Sequence, residues 1–346
     1  MLSHQTVPLN QYFSLPKVEL HRHLEGSLRL TTMLDIARQH GVTVPASMFN
    51  LSGLVQVQDQ DPMTFTNFLE KFKTLRLFYK SPDVIHRVTR EAVEDAAKDN
   101  VRYLELRFTP VALSRAEGFP LHDVMDWVMT SAQEAAKAYG IKVGLIASVN
   151  RHESPELAEQ VAWLAVEHQK RGLFGLDLAG NEAEFKSTPF RDIFKEAKQS
   201  GLHITIHAGE WGPAENVRDA IENLGAERIG HGVRVLEDEA VAGLAKERGT
   251  VFEVCVTSNF QSGVVNVLEN HPLPHMIENG LKVTVNTDDP SVSRITLSNE
   301  FQIALEKLNV SMDVLKKSVI LAAEASFLPD AEKTELVQNL KKELDR

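Results

Sequence analysis

Two histidines two residues apart, His21 and His23, end a short run rich in strand-forming residues, Lys17–His23. On a strand, residues i and i+2 share a face, so both imidazoles point inward; on a helix they would diverge. Two imidazoles side by side inside a protein need partners, and a divalent metal is the usual one. Taken alone, His-x-His says little in a chain with 13 histidines. It says more beside His207, near the end of the run His203–Ala208, and Asp288, just after the run Lys282–Thr287. Three imidazoles and one carboxylate suit zinc, with water or substrate completing the shell. One Zn2+ per chain is the expectation.

Other polar residues fall near these four. Glu210 lies three residues past His207. A carboxylate beside a metal site is a typical general acid or base, and a carboxylate at a helix start, favoured by the dipole, is the plainer alternative. His231 sits between Gly230 and Gly232, which let a ligand approach closely, although a buried histidine with satisfied hydrogen bonds fits the same spacing. Asp289 precedes Pro290 and is pushed to an extended conformation. Consecutive strand residues point opposite ways, so Asp288 is assigned to the metal and Asp289 to a substrate contact. Cys255, the single cysteine, reads as a small buried residue rather than a nucleophile.

The elements that must position these residues alternate along the chain. Eight short runs read as strands: Lys17–His23, Val101–Phe108, Lys142–Val149, Leu173–Ala179, His203–Ala208, Arg228–His231, Val251–Val256 and Lys282–Thr287. Amphipathic segments such as Glu91–Asp99, Asp123–Tyr139, Glu156–Arg171 and Arg191–Ser200 lie between them. Alternating β and α elements imply a parallel sheet, and eight units point to a closed (β/α)8 TIM barrel with its chemistry at the C-terminal ends of the strands. A doubly wound open sheet would want a glycine-rich phosphate turn after an early strand, and His21-Arg22-His23-Leu24-Glu25-Gly26 is not one. The stretch Leu24–Asn100 is too long for one crossover and predicts extra helices between strands 1 and 2. In it Phe65, Phe68, Leu69 and Phe72 share one helical face. On periodicity that face reads first as core packing, and second as a lid over a ligand. Residues 1–346 are read as a single barrel domain.

Composition excludes several classes. Forty-eight acidic against 37 basic residues give a net charge of −11, and no basic patch interrupts it, which disfavours nucleic acid as a partner. No stretch reaches the ~18 apolar residues of a membrane span, no secretory signal is visible at the start, and a lone cysteine gives no disulfide. A cytoplasmic protein acting on a small molecule is the expectation; the oligomeric state is not legible.

An ordered set of segments resembles the adenosine deaminase family: Leu15-Pro16-Lys17-Val18-Glu19-Leu20-His21-Arg22-His23-Leu24-Glu25-Gly26-Ser27, His207-Ala208-Gly209-Glu210, Arg228-Ile229-Gly230-His231-Gly232, Thr257-Ser258-Asn259 and Asn286-Thr287-Asp288-Asp289-Pro290. The resemblance implies a zinc (β/α)8 barrel that hydrolyses a 6-aminopurine to a 6-oxopurine and ammonia. It implies His21, His23, His207 and Asp288 as metal ligands, Glu210 as proton donor to purine N1, and His231 as the residue orienting the attacking solvent molecule. It further implies Asp289 at N7, the Gly180 backbone N–H at N3, and Phe65, Phe68, Leu69 and Phe72 as an apolar lid, which displaces packing as the first reading of that face. Many family members carry Asp where this chain has Glu25, at the position linked to the ribose 5′-hydroxyl. Glu there is shared with adenine and aminodeoxyfutalosine deaminases, whereas Thr257–Gln261 looks closer to adenosine deaminases. Adenosine or deoxyadenosine is therefore the expected substrate, with adenine or aminodeoxyfutalosine as alternatives. A dinuclear amidohydrolase would want a lysine at the fourth strand end, which reads Asp177-Leu178-Ala179-Gly180. A non-catalytic purine-binding protein on the same scaffold is expected to lack Glu210 or a metal ligand, and all are present.

Overall fold

Eight strands pair in parallel, each with the next in chain order. They are β1 (Lys17–His23), β2 (Val101–Phe108), β3 (Lys142–Asn150), β4 (Leu173–Ala179), β5 (His203–Ala208), β6 (Arg228–His231), β7 (Val251–Val254) and β8 (Lys282–Val285). This computed structural model describes residues 10–345. Between β8 and β1 the only bridge among the described residues is Arg22 with Asp288. There His23 N donates to Asp288 O at 2.8 Å, and Asp288 N donates to His21 O at 2.9 Å. The Asn286 side chain adds to the closure, accepting from Leu20 N at 2.9 Å. The result is a nearly closed (β/α)8 barrel.

Four α-helices, Leu30–His40, Met48–Val55, Phe65–Leu75 and Pro82–Lys98, stand between β1 and β2. The last shows why the sequence folds so. Ser81 caps its start by accepting from Val84 N, Pro82 occupies the first turn, and Val84, Ile85, Val88, Ala92, Val93 and Ala96 make its buried stripe. Among the described residues no helix is long and apolar enough to cross a membrane.

Two strands end earlier than their apolar runs. The seventh stops at Val254 rather than Val256, because the Glu300 carboxylate accepts from Val256 N (2.9 Å) and Thr257 N (3.1 Å) and starts the short helix Val256–Gln261. The eighth stops at Val285 rather than Thr287, where Thr287 N donates to Glu19 Oε1 at 3.2 Å. The third runs one residue further, to Asn150.

The barrel interior beneath the strand ends is ionic rather than apolar. Arg107 donates to Glu253 Oε2 (2.7 Å) and to Leu20 O (2.8 Å), and lies 3.4 Å from Asp177 Oδ2. Arg228 donates to Glu253 Oε1 (2.6 Å), pairs with Glu105, and lies over the Phe327 ring at 3.5 Å. All five charged side chains are buried. Removing one member of such a set strands the charges left behind. Arg228→Met is expected to cost about 3–5 kcal/mol of folding stability, measured by denaturant titration. A loss under about 1 kcal/mol would show that the set contributes no more than an exposed pair.

Candidate active site

Strand ends bring four of the predicted residues together. His23 Nε2 lies 3.3 Å from His207 Nε2, and Asp288 Oδ1 lies 3.2 Å from His21 Nε2 and 3.3 Å from His23 Nε2. Gly230 makes room, since a Cβ there would stand 2.9 Å from the His21 ring. Two of the rings are oriented from behind. His21 Nδ1 faces Glu253 Oε2 at 2.8 Å, and His207 Nδ1 faces Asp177 Oδ1 at 2.9 Å. A carboxylate accepts only, so each Nδ1 carries a proton and a neutral ring turns its Nε2 lone pair toward the cluster. His21 Nε2 is buried without a hydrogen-bond partner. Lone pairs converging on one point beside a carboxylate fit a divalent cation, and the carboxylate behind each ring is the usual outer support of such ligands. His21, His23, His207 and Asp288 could hold it.

Strand alternation does not govern how Asp288 and Asp289 point. Strand β8 has already ended, and Asp288 takes a left-handed backbone (φ 67°), as does His231 (φ 61°). Asp288 Oδ1 turns to the histidines while Oδ2 accepts from Ser258 Oγ at 2.7 Å. Asp289 lines the adjoining cavity with Oδ1 unpartnered. Gly26 permits that, because a Cβ at this position would overlap Asp289.

Glu210 follows β5 and is fixed through a residue the sequence reading did not single out. The Glu182 carboxylate accepts from the backbone N–H groups of Gly209 (3.0 Å), Glu210 (2.6 Å) and Trp211 (2.7 Å), and from Asn216 Nδ2 (2.8 Å). Burial, then the charges of Asp288 and Glu182, push the Glu210 carboxyl well above the ordinary value. Asp289 is pushed up in the same way by burial, Asp288 and Glu25. His231 Nε2 lies 3.6 Å from Glu210 Oε2 and 3.9 Å from Asp288 Oδ2.

These groups open into a cavity at the C-terminal rim of the barrel. Glu25, Gly180, Glu210, His231 and Asp289 line it, as do Phe68, Leu69 and Phe72. Phe65 does not reach it. As the first residue of its helix, it turns to the outer side and meets the Trp211 ring edge-on at 4.2 Å. Arg76, which the sequence reading passed over, lines the cavity. Its signal was there, four residues past Phe72 on the same helical face. Asp177 and Glu253 were not legible as supports for the imidazoles, since their partners come from other strands. Cys255 is fully buried; its thiol is pushed well up by burial and contacts Glu253 O at 3.6 Å, a packing role rather than a nucleophile's.

A barrel that gathers imidazoles and a carboxylate at this rim is built as the metal-dependent amidohydrolases are. Comparison with known proteins then gives the family. The adenosine deaminase family model matches residues 16–343, and the chain belongs to that family. It is 36% identical over 323 residues to an adenosine deaminase from Clostridium perfringens, covering 93% of this chain and 97% of that one. Among solved structures, adenine deaminase from Arthrobacter aurescens superposes with a TM-score of 0.88 at 26% identity, over 96% of this chain and 100% of that one. An amidohydrolase from Burkholderia ambifaria, solved with bound zinc, superposes with a TM-score of 0.87 at 26% identity, over 97% and 92%. The chain is therefore an aminohydrolase that deaminates a purine.

Proposed function

We propose that the chain deaminates a 6-aminopurine nucleoside, adenosine or 2′-deoxyadenosine, to the 6-oxopurine nucleoside and ammonia, with zinc as its resident ion. The observation that carries the nucleoside reading is a set of buried polar atoms left without partners beside one cavity: Asp289 Oδ1, Glu25 Oε2 and Arg76 Nε. Buried groups of this kind want partners, and a site built around them rejects ligands that lack them. A purine base supplies Asp289. A sugar hydroxyl supplies the other two, donating to Glu25 and accepting from Arg76.

The residues divide the work. The chemistry a divalent cation supplies at His21, His23, His207 and Asp288 is Lewis acidity toward a solvent oxygen. Glu210, its carboxyl pushed well above the ordinary value by burial, delivers its proton to N1 and makes C6 electrophilic. Asp289, raised likewise, donates to N7, and the Gly180 N–H donates to N3. His231 orients the attacking oxygen beside Glu210. Phe68, Leu69 and Phe72 cover the ring and exclude bulk water.

A substrate panel at equal enzyme tests this reading by the ultraviolet change on deamination. Adenosine and deoxyadenosine are expected to exceed adenine and aminodeoxyfutalosine in kcat/KM by about 10²-fold or more. The likeness to the Arthrobacter enzyme favours adenine as the second reading, and preference for adenine in the panel would replace the first. No turnover of any 6-aminopurine would overturn both. Arg76→Met is expected to lower kcat/KM for adenosine by roughly 10-fold, as loss of a hydrogen bond from a charged donor does, and to leave adenine unchanged.

A further inference from the structure

Behind His231 runs a chain of three hydrogen bonds that starts at a backbone amide. Leu273 N donates to His271 Nδ1 at 3.1 Å. His271 Nε2 lies 3.2 Å from Asn259 Oδ1, and Asn259 Nδ2 lies 3.1 Å from His231 Nδ1. The three side chains are buried, at 2%, 0% and 1% exposure for His271, Asn259 and His231. Ring and amide protons can be placed in either sense, but a backbone N–H only donates, and that sets the direction of the whole chain.

His271 Nδ1 must be a lone pair, so the neutral ring carries its proton on Nε2. Burial lowers the His271 pKa to about 3, which keeps the ring neutral. Its Nε2–H then donates to Asn259 Oδ1, which turns the amide NH2 of Asn259 toward His231. His231 Nδ1 accepts that bond and is left without a proton, so neutral His231 carries its proton on Nε2. That nitrogen is the one facing Glu210 Oε2 and Asp288 Oδ2, at 3.6 Å and 3.9 Å.

We propose that His271, acting through Asn259, is a positioning residue that locks His231 in its Nε2–H tautomer. The ring thereby presents a hydrogen-bond donor, not a lone pair, to the solvent oxygen that attacks the purine. The inference rests on the role given to His231 above, while the tautomer itself is independent of any substrate. Pro272, between the ring and the amide that pins it, holds the turn with its fixed φ of −70°.

Long-range 1H–15N correlation of the zinc-loaded protein labelled at histidine reads the tautomer directly. The His231 signals are assigned by their loss in His231→Gln. Wild type is expected to show the His231 proton on Nε2. His271→Gln, whose amide nitrogen replaces the donor toward Asn259, is expected to keep that pattern and to hold kcat within about 3-fold, an effect near one weak hydrogen bond. His271→Phe keeps a planar ring, slightly larger, but removes both nitrogens. Asn259 can then turn its oxygen to His231, and the proton is expected to move to Nδ1. A wrong tautomer has cost up to ~10⁴ in kcat in a serine protease triad; with an amide free to turn, a loss of about 10-fold or more is expected here, with KM little changed. Wild-type His231 protonated on Nδ1 would overturn the proposal even if no variant folds. So would an unchanged Nε2–H pattern in His271→Phe. The expected spectra without turnover of any 6-aminopurine would support the tautomer lock while overturning the functional reading.

Discussion

Replacing Glu210 by Gln is expected to lower kcat by about 10²–10⁴, the range that a positioned general acid contributes. The substitution keeps size and shape and removes only the acidic proton. Its backbone anchor is untouched, because Glu182 holds the Glu210 N–H rather than its side chain. KM should therefore change little, and a large rise in KM at unchanged kcat would contradict the assignment. The pH profile gives a second reading. The Glu210 carboxyl is held well above its ordinary value, so the active, protonated form persists to higher pH than an ordinary carboxyl would allow. The rate falls as pH rises through that raised pKa, because the proton destined for N1 is lost. Asp289 is raised as well and loses its proton in the same direction.

Metal removal has a comparable expected effect from a separate cause. Dialysis against a strong chelator is expected to lower activity by about 10³-fold or more, since Lewis-acid stabilisation supplies several kcal/mol of transition-state energy. Added zinc should restore it. Asp288→Ala is expected to behave like the chelated protein and to resist rescue, because it removes the only carboxylate of the donor set. Elemental analysis should return one ion per chain. Full activity after verified removal of metal would overturn the cation site, and two ions would argue for a dinuclear centre.

The architecture was legible because each strand is a short β-branched run and each helix a longer amphipathic one. Where the runs misled, a side chain from elsewhere intervened. Glu300 takes up the amides after Val254, and Glu19 takes the amide of Thr287, so neither strand uses its whole apolar run. Within the site, His21 and His23 were legible through the strand period of two, and His207 and Asp288 through their places at run ends. Phe65 shares the helical face of Phe68 and Phe72, but spacing does not say that a first-turn side chain leans over the preceding loop. Glu182, Asn259 and His271 carried no local signal of their own. Each acts on a partner 12 to 28 residues away along the chain, and only the folded barrel supplies that proximity.

The joint between the last strand and the first has a consequence for how the protein lasts. Every other pair of neighbouring strands is laced by a ladder, whereas among the described residues this one has a single bridge at Arg22 and Asp288, helped by the amide of Asn286 and by Thr287 donating to Glu19. Asp288 and the flanking His21 and His23 are also the residues suited to grip an ion, so whatever binds there rivets the barrel shut. Binding free energy gained at such a point adds to resistance against opening. With the proposed cation in place, closure of the barrel and reactivity would draw on the same few atoms.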